Sequence, residues 1–432
     1  MIGRFRFTEF QLLLVPGLAT IVGLLTIYLA STGTLDWDWR DIWISLAYMG
    51  AVVGITLLFS AIGFRGDQVL FPVTVALSAL GLLVIQRLQP ALEARGPSYG
   101  LLPERQLLYL WIGLGLLAFV VVFIRRIGWM RRYKYSWAVG SILLMLFTMV
   151  FGTEIQGARL WLTVGPVTIQ PSEITKVALV IFLAGYLAEN EDLIVAKYRV
   201  GPLNLPPIPY LLPIILMWAF SMLIVVAQND LGTALLFFGV LLAMVYLASG
   251  RLSYVAAGLL AFAAGSYIAY EAFSRVQLRI QNWLDPWQDP VDAGYQQIQS
   301  EYAMASGGLF GRGLAFGSPG FIPEVHSDYV FAAIGEELGL LGTFAVLMLF
   351  LLLVFRGYYI AMRARDPFGR YLAAGLTSIL AVQTLIIIGG TVRLIPLTGI
   401  TLPFVSAGGS SLLSNFLIIG LLLRISDPRR PS

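Results

Sequence analysis

The stretch IPEVHSDYVFAAIGEELG, residues 322–339, gathers Glu324, His326, Asp328, Glu336 and Glu337 at the mouth of a long apolar run, four carboxylates and the only histidine of the chain. A carboxylate within hydrogen-bond reach of a hydroxyl accepts its proton and leaves the oxygen nucleophilic, and Asp328 is the candidate for that base. A phosphate leaving group needs cations. Guanidinium groups grip phosphate oxygens in pairs and an ammonium acts as a point charge, so Arg159, Arg393 and Lys176 are candidate phosphate contacts, with Arg159 leading.

Each of these residues also has an ordinary structural reading. Asp230, which opens the apolar run after QND, and Asp328 both fit as helix N-caps, worth ~1 kcal/mol each. Glu173 and Lys176, three apart at the start of a span, can satisfy each other as an ion pair. His326 fits as a hydrogen-bonded interface residue, and GGSS, which includes Ser410, as close packing of helices through small residues. If Asp328 opens a helix, the dipole lowers its basicity, whereas burial or a nearby Glu324 raises it. Glu336 lies about two turns further on and Glu337 faces nearly opposite, so at least one is expected to be structural, near a bend at Gly339 and Gly342. What favours chemistry is that all these polar groups fall on the same side of the chain's apolar segments.

Those segments define the class. Of 432 residues 58% are hydrophobic and 12% charged, with a mean hydropathy of +0.82, against about 25% charged in a soluble domain. An all-α polytopic membrane protein is expected. Twelve runs are long enough to span ~30 Å of hydrocarbon: 10–31, 41–64, 68–88, 105–124, 135–152, 171–188, 210–227, 231–250, 253–270, 328–355, 369–391 and 410–426. Cysteine is absent, which excludes disulfides, thiol nucleophiles and thiolate metal sites. The basic residues form no aromatic-studded patch, so nucleic acid is not an expected partner.

With the N-terminus inside, eighteen Lys and Arg fall in inner connections and nine in outer ones, the bias expected of a multi-pass protein with both termini cytoplasmic. The longest polar connection, 271–327, is then outside. Its tryptophans, tyrosines and turn sequences suit a structured loop at the membrane surface, with one short helix in GYQQIQSEYAMA ended by glycines.

The blocks GARLW, QPSEITK, QNDLGTAL, GYQQIQS, SGGLFGRG, IPEVHSDYVFAAIGEELG and TGITLPFVSAGGSS occur in order between residues 68 and 426. Together they resemble the SEDS family (shape, elongation, division and sporulation), which includes RodA, FtsW and SpoVE. The resemblance implies a ten-helix core at 67–432, two additional N-terminal helices at 1–66, and the outer loop 271–327 between the ninth and tenth spans of the whole chain. It implies polymerisation of lipid II, the undecaprenyl-pyrophosphate-linked disaccharide pentapeptide, by inverting glycosyl transfer at the outer face of the bacterial cytoplasmic membrane. It also makes Asp328 the essential outer residue and Arg159 and Lys176 family basic positions, and it implies a class B penicillin-binding protein, a transpeptidase, as partner.

No cofactor is required by this reading, and no metal ligand set is assigned, although a divalent cation, Mg or Mn, bridging phosphate and carboxylate would suit the chemistry. Glu324 and His326, next to Asp328, and Arg393 join the expected substrate contacts; Glu173, Asp230, Glu336, Glu337 and Ser410 form the expected supporting set. The chain departs from the family pattern at Asn229, Ile387, Arg393 and Ala407, which resembles a RodA-like branch serving elongation and shape. A division-specific FtsW-like polymerase and a lipid flippase or transporter are the alternatives. The last predicts charges continuing to the inner side and duplicated halves, and neither is evident in the sequence.

Overall fold

A backbone in hydrocarbon must satisfy its own hydrogen bonds, and each of the twelve apolar runs does so as a helix. The computed structural model describes residues 6–32, 39–96, 99–155, 158–164, 167–191, 198–200, 203–205, 208–228 and 230–428; Arg4, Lys197, Asn229, Arg429 and Arg430 lie outside them. The helices are α1 (Phe7–Thr32), α2 (Trp39–Ala61), α3 (Leu70–Glu93), α4 (Leu102–Phe123), a short α5 (Gly128–Arg132), α6 (Lys134–Phe151), α7 (Pro171–Glu189) and α8 (Ile208–Ala227). They continue as α9 (Leu231–Ser249), α10 (Leu252–Ala272), α11 (Ser274–Leu284), α12 (Tyr295–Gly307), α13 (Val330–Arg363), α14 (Pro367–Thr391) and α15 (Gly409–Ser426). Eleven are long and apolar enough to cross a membrane among the described residues, and α8 contributes the shorter apolar stretch Leu212–Ala227.

Two connections differ from the loops expected. Strands β1 (Thr153–Ile155), β2 (Ala158–Val164) and β3 (Val167–Ile169) form an antiparallel sheet in sequence order, and β4 (Tyr198–Val200) pairs with β5 (Leu203–Leu205). Within the outer loop, GYQQIQSEYAMA is helical as expected and ends at Gly307, while SRVQLRIQNWL adds α11, whose Val276, Leu278, Ile280 and Trp283 alternate with polar residues.

The described residues fold as two compact units, the first drawn from 1–123, 281–356 and 384–428, the second from 124–280 and 357–383. In the first, α15 packs on α4, α1 on α3 and α2 on α4, so the N-terminal pair shares its core with the helices that follow. Arg6 fixes the pair at one end. Its guanidinium donates to Glu9 and to the carbonyls of Phe64, Gly66 and Asp67, with the Phe59 and Phe64 rings at 5.8 and 5.0 Å. Such a buried cation is tolerable because every charged partner is paired. Asp67 in turn accepts from Val69 and Leu70 N–H at the approach to α3, and pairs with Arg356. In the second unit, α6 packs on α7, and α9 on α7, α8 and α10.

The helix that carries the acidic motif is broken. At Gly339 (φ 67°, ψ −166°) α13 leaves helical geometry, and the bonds that Leu340 and Leu341 N–H would make to Glu336 and Glu337 are replaced. Leu340 and Leu341 donate instead to the carbonyls of Gly308 and Leu309 at 2.9 and 3.1 Å, while Arg312 and Gly313 N–H donate to the carbonyls of Glu336 and Glu337 at 2.9 Å each. The glycine-rich segment SGGLFGRG thus enters the helical ladder as a wedge and satisfies both sides of the break, which is how irregular backbone survives at such a site. The approach needs glycine on both partners. A Cβ on Gly311 would sit 2.2 Å from the Glu337 carbonyl oxygen, and one on Gly339 2.2 Å from Gly311 N.

Candidate active site

Asp328 sits in a turn, ahead of the helix. Glu324, in left-handed backbone geometry (φ 51°), accepts at its carbonyl from Ser327 N–H at 3.1 Å and Asp328 N–H at 3.0 Å. The first carbonyl taken up by α13 is that of Tyr329, which accepts from Ala332 and Ala333. The residue just ahead of α13 is therefore Tyr329, and Asp328 stands one position before it, its N–H closing the preceding turn. The turn is clamped from three directions. Ala407 N–H donates to His326 O at 2.8 Å. Ser406 Oγ donates to Ser327 O while accepting from Leu402 N–H. The Arg95 guanidinium donates to Gly320 O and Ile322 O. Gly399 lies against the half-buried carboxylate: a Cβ there would be 3.8 Å from Asp328 Oδ2.

The neighbours set the electrostatics of the turn. The His326 and Tyr99 rings meet in a T-shaped pair with centroids 5.4 Å apart, and His326 Nε2 is 3.8 Å from Glu324 Oε2. Burial lowers the His326 pKa; Glu324 opposes that shift and Arg95 adds to it. An imidazole whose folded pKa lies below its unfolded one gives stability that is fully present above about pH 6.5 and is lost as pH falls, because the unfolded state then binds more protons. The His326 contribution is read as a difference: on going from about pH 7.5 to pH 5 the thermal midpoint of the wild type should fall relative to that of His326→Asn. An unchanged pH slope in the variant would remove His326 from this balance. Tyr329, whose hydroxyl donates to Gln297 Oε1 at 3.3 Å, is held protonated by burial first and then by Asp328 and Glu301.

Arg393 does a job the sequence did not suggest. Its Nε donates to Trp283 O at 2.8 Å, one terminal nitrogen donates to Leu284 O at 2.7 Å, and the other pairs with Glu301 at 3.2 Å. Trp283 Nε1 returns a bond to Arg393 O. All three guanidinium nitrogens are engaged, so in this arrangement Arg393 anchors the end of α11 and α12 to the 393–408 connection. Glu336 and Glu337 act alike on the segment that follows the wedge: Glu336 Oε1 accepts from Ser318 N–H, and Glu337 pairs at 2.9 Å with Arg87, which also donates to Gly317 O. Ser410 is buried in the first turn of α15, and its neighbour Ser411 accepts from Thr401 Oγ1 at 2.7 Å. Arg87, Arg95, Tyr99, Gln297, Glu301 and Ser406 were not singled out from the sequence; the one local hint was a run of polar side chains on α12.

The remaining candidates belong to the second unit. Arg159 is exposed on β2, opposite Glu154 in register. Lys176 is 2% exposed, paired with Glu173 and donating to Gln383 Oε1 at 3.0 Å, the self-satisfied pair anticipated for such a span. Asp230 does cap its helix: it accepts from Thr233 N–H at 3.0 Å and from the Thr233 hydroxyl at 2.6 Å, and Gln170 Nε2 lies 3.4 Å away. Burial pushes its carboxyl up against the Thr233 bonds, Glu173 adds to the rise, and Arg279 opposes it. Among the described residues no three His, Asp or Glu converge as a metal cage.

The chain is similar to known proteins over nearly its whole length. A family model described as cell cycle protein, FTSW_RODA_SPOVE, matches residues 67–430. A peptidoglycan glycosyltransferase RodA of Mycobacterium tuberculosis is 37% identical over 432 residues, covering 99% of this chain and 92% of that protein. Among solved structures, a chain from work on the structural coordination of polymerization and crosslinking by a peptidoglycan synthase complex superposes with a TM-score of 0.68 at 26% identity, covering 84% of this chain and 98% of that one. The Thermus thermophilus rod shape determining protein RodA gives 0.61 at 25% identity, covering 85% and 99%.

Proposed function

The chain belongs to the FtsW, RodA and SpoVE family of cell cycle proteins and is a multi-pass membrane peptidoglycan glycosyltransferase; from that premise we propose that it polymerises lipid II with Asp328 as the base. The observation that carries the assignment is the placement of Asp328: a half-buried carboxylate outside the helix, on a turn fixed by Ser406, Ala407 and Arg95 and facing the Gly399 backbone. A sugar hydroxyl delivered to Oδ2 gives its proton to Asp328 as its oxygen attacks the anomeric carbon of a prenyl-linked sugar. The new glycosidic C–O bond forms on the face opposite the departing pyrophosphate, which leaves with its electron pair, and the anomeric centre inverts. Proton transfer of this kind contributes ~10²–10⁴-fold.

Arg159 and Lys176, with Arg393, are assigned to the pyrophosphate, where a cation stabilises charge as it develops. Arg159 leads because it is exposed, whereas Lys176 is buried with Glu173 and Arg393 is bonded to carbonyls. Glu324 and His326 border the acceptor. A divalent cation, Mg2+ or Mn2+, would find Asp328 as its protein ligand and would neutralise charge on the diphosphate; the steps given to this chain do not depend on it. The charge bias of the connections supports both termini on the cytoplasmic side of the bacterial inner membrane, with the motif outside. The solved synthase complex couples polymerization to crosslinking, which supports a class B penicillin-binding protein as partner.

The test uses purified protein with fluorescently labelled lipid II, alone and with the transpeptidase. Glycan strands resolved on a gel are the expected product. Movement of lipid II across the bilayer of a proteoliposome with no strands formed would replace this reading with that of a flippase.

A further inference from the structure

The second unit carries a groove that the glycosyl transfer does not use. It has a volume of about 350 Å³ and runs along the surface of α6, with α7 as its other wall. Trp137, Gly140 and Leu144 recur on one stripe of α6, Tyr133 stands at the junction of α5 and α6, Trp129 of α5 closes one end, and Ala178 of α7 faces them. The Ser141 hydroxyl donates to its own helix at Ala138 O, so the floor offers apolar surface. A Cβ at Gly140 would meet no atom within 4 Å, so a larger side chain can be placed there.

The segment that supplies Trp129, Tyr133 and Trp137 to the groove is strongly basic. Residues 124–137 hold Arg125, Arg126, Arg131, Arg132 and Lys134 and no acid. Arg131 and Lys134 share the single carboxylate of Glu189. Arg126 and Arg132 are exposed, and the Arg132 guanidinium lies 5.8 Å from the ring centroid of Tyr133, itself a wall of the groove. Tryptophan and tyrosine favour the headgroup level of a bilayer. Arginine binds phosphate oxygens in pairs, and basic segments next to a span draw anionic lipid. An apolar slot beneath an arginine cluster matches a molecule with a phosphate at one end and a hydrocarbon chain at the other.

We propose that this groove is a binding site for an anionic glycerophospholipid, with one acyl chain between α6 and α7 and the headgroup phosphate on Arg126 and Arg132. The site lies on α5, α6 and α7, on residues given no part in the proton transfer. Its readout is lipid retention, so it is tested apart from the polymerase reading.

The experiment is native mass spectrometry of the full chain, extracted in mild detergent and exchanged against phosphatidylglycerol or phosphatidylcholine of matched acyl chains. The wild type should retain phosphatidylglycerol selectively. Arg126→Gln with Arg132→Gln, both on the surface, should reduce that retention by at least about tenfold. Gly140→Leu, which fills the open space, should reduce it as well, and the double arginine variant keeps the test decisive if Gly140→Leu does not fold. Equal retention of the two lipids would overturn the proposal, as would undiminished phosphatidylglycerol in the arginine variant or its displacement by millimolar inorganic phosphate. So would occupation of the groove by a partner's transmembrane helix, seen as crosslinks from residue 140 to protein.

Discussion

Asp328→Asn is expected to lower lipid II polymerisation by ~10²–10⁴-fold, the range that a positioned general base contributes. The substitution keeps the shape of the side chain and every backbone bond of the turn: Asp328 N–H still reaches Glu324 O, and Ser406 and Ala407 still hold residues 326 and 327. Folding should be nearly unchanged, and lipid II binding should survive better than turnover, since the lost interaction is one made with a proton in flight. The measurement is the initial rate of strand formation by purified protein, normalised to the monodisperse fraction, beside the thermal midpoint of the same preparation. A variant within a few-fold of wild type would show that the proton goes elsewhere. Asp328→Glu, which keeps the carboxylate but moves it toward Gly399, should recover part of the loss.

The second large effect is on stability. Gly339→Ala places a side chain where the backbone is at φ 67° and ψ −166°, a region essentially reserved for glycine. The new Cβ would lie 2.2 Å from Gly311 N and 2.7 Å from Leu309 O, both backbone atoms of the wedge. Relief requires expelling the wedge. That strands four backbone bonds in the middle of α13, each worth ~0.5–1.5 kcal/mol net, on top of ~1–3 kcal/mol of backbone strain. Loss of monodisperse protein and rapid proteolysis within 307–318 are the expected results. Gly115→Ala is the matched control: that glycine lies inside α4 with open space around it, so alanine should be neutral or stabilise by ~0.5–1 kcal/mol. If the two variants behaved alike, the wedge would not be what holds the break.

Much of this molecule was legible in the order of its residues. The requirement that spanning backbone be helical converts a run of apolar side chains directly into an element, which is why all twelve runs appear as helices. The α12 helix was readable for a similar reason, since GYQQIQSEYAMA is bounded by glycines on both sides. The short strands at 153–169 and the α11 helix were not, because segments so brief carry little intrinsic preference and are fixed by what they pair with.

The candidate base was also written in the sequence, as an acid at the edge of an apolar run, and so was the pairing of Glu173 with Lys176, which needs only the three-residue spacing of a helix. Whether a given charge caps or anchors was decided by tertiary structure alone. Asp230 and Asp328 look alike along the chain, yet one accepts from Thr233 and caps while the other stands two positions ahead of its helix with its N–H bonded to Glu324 O. Arg393 reads as an open cation until the carbonyls of Trp283 and Leu284, more than a hundred positions earlier, arrive at its nitrogens. The partners that settle these roles are mostly backbone atoms. Every residue has them, so no side-chain pattern can announce them, and only the folded chain brings the right ones within reach.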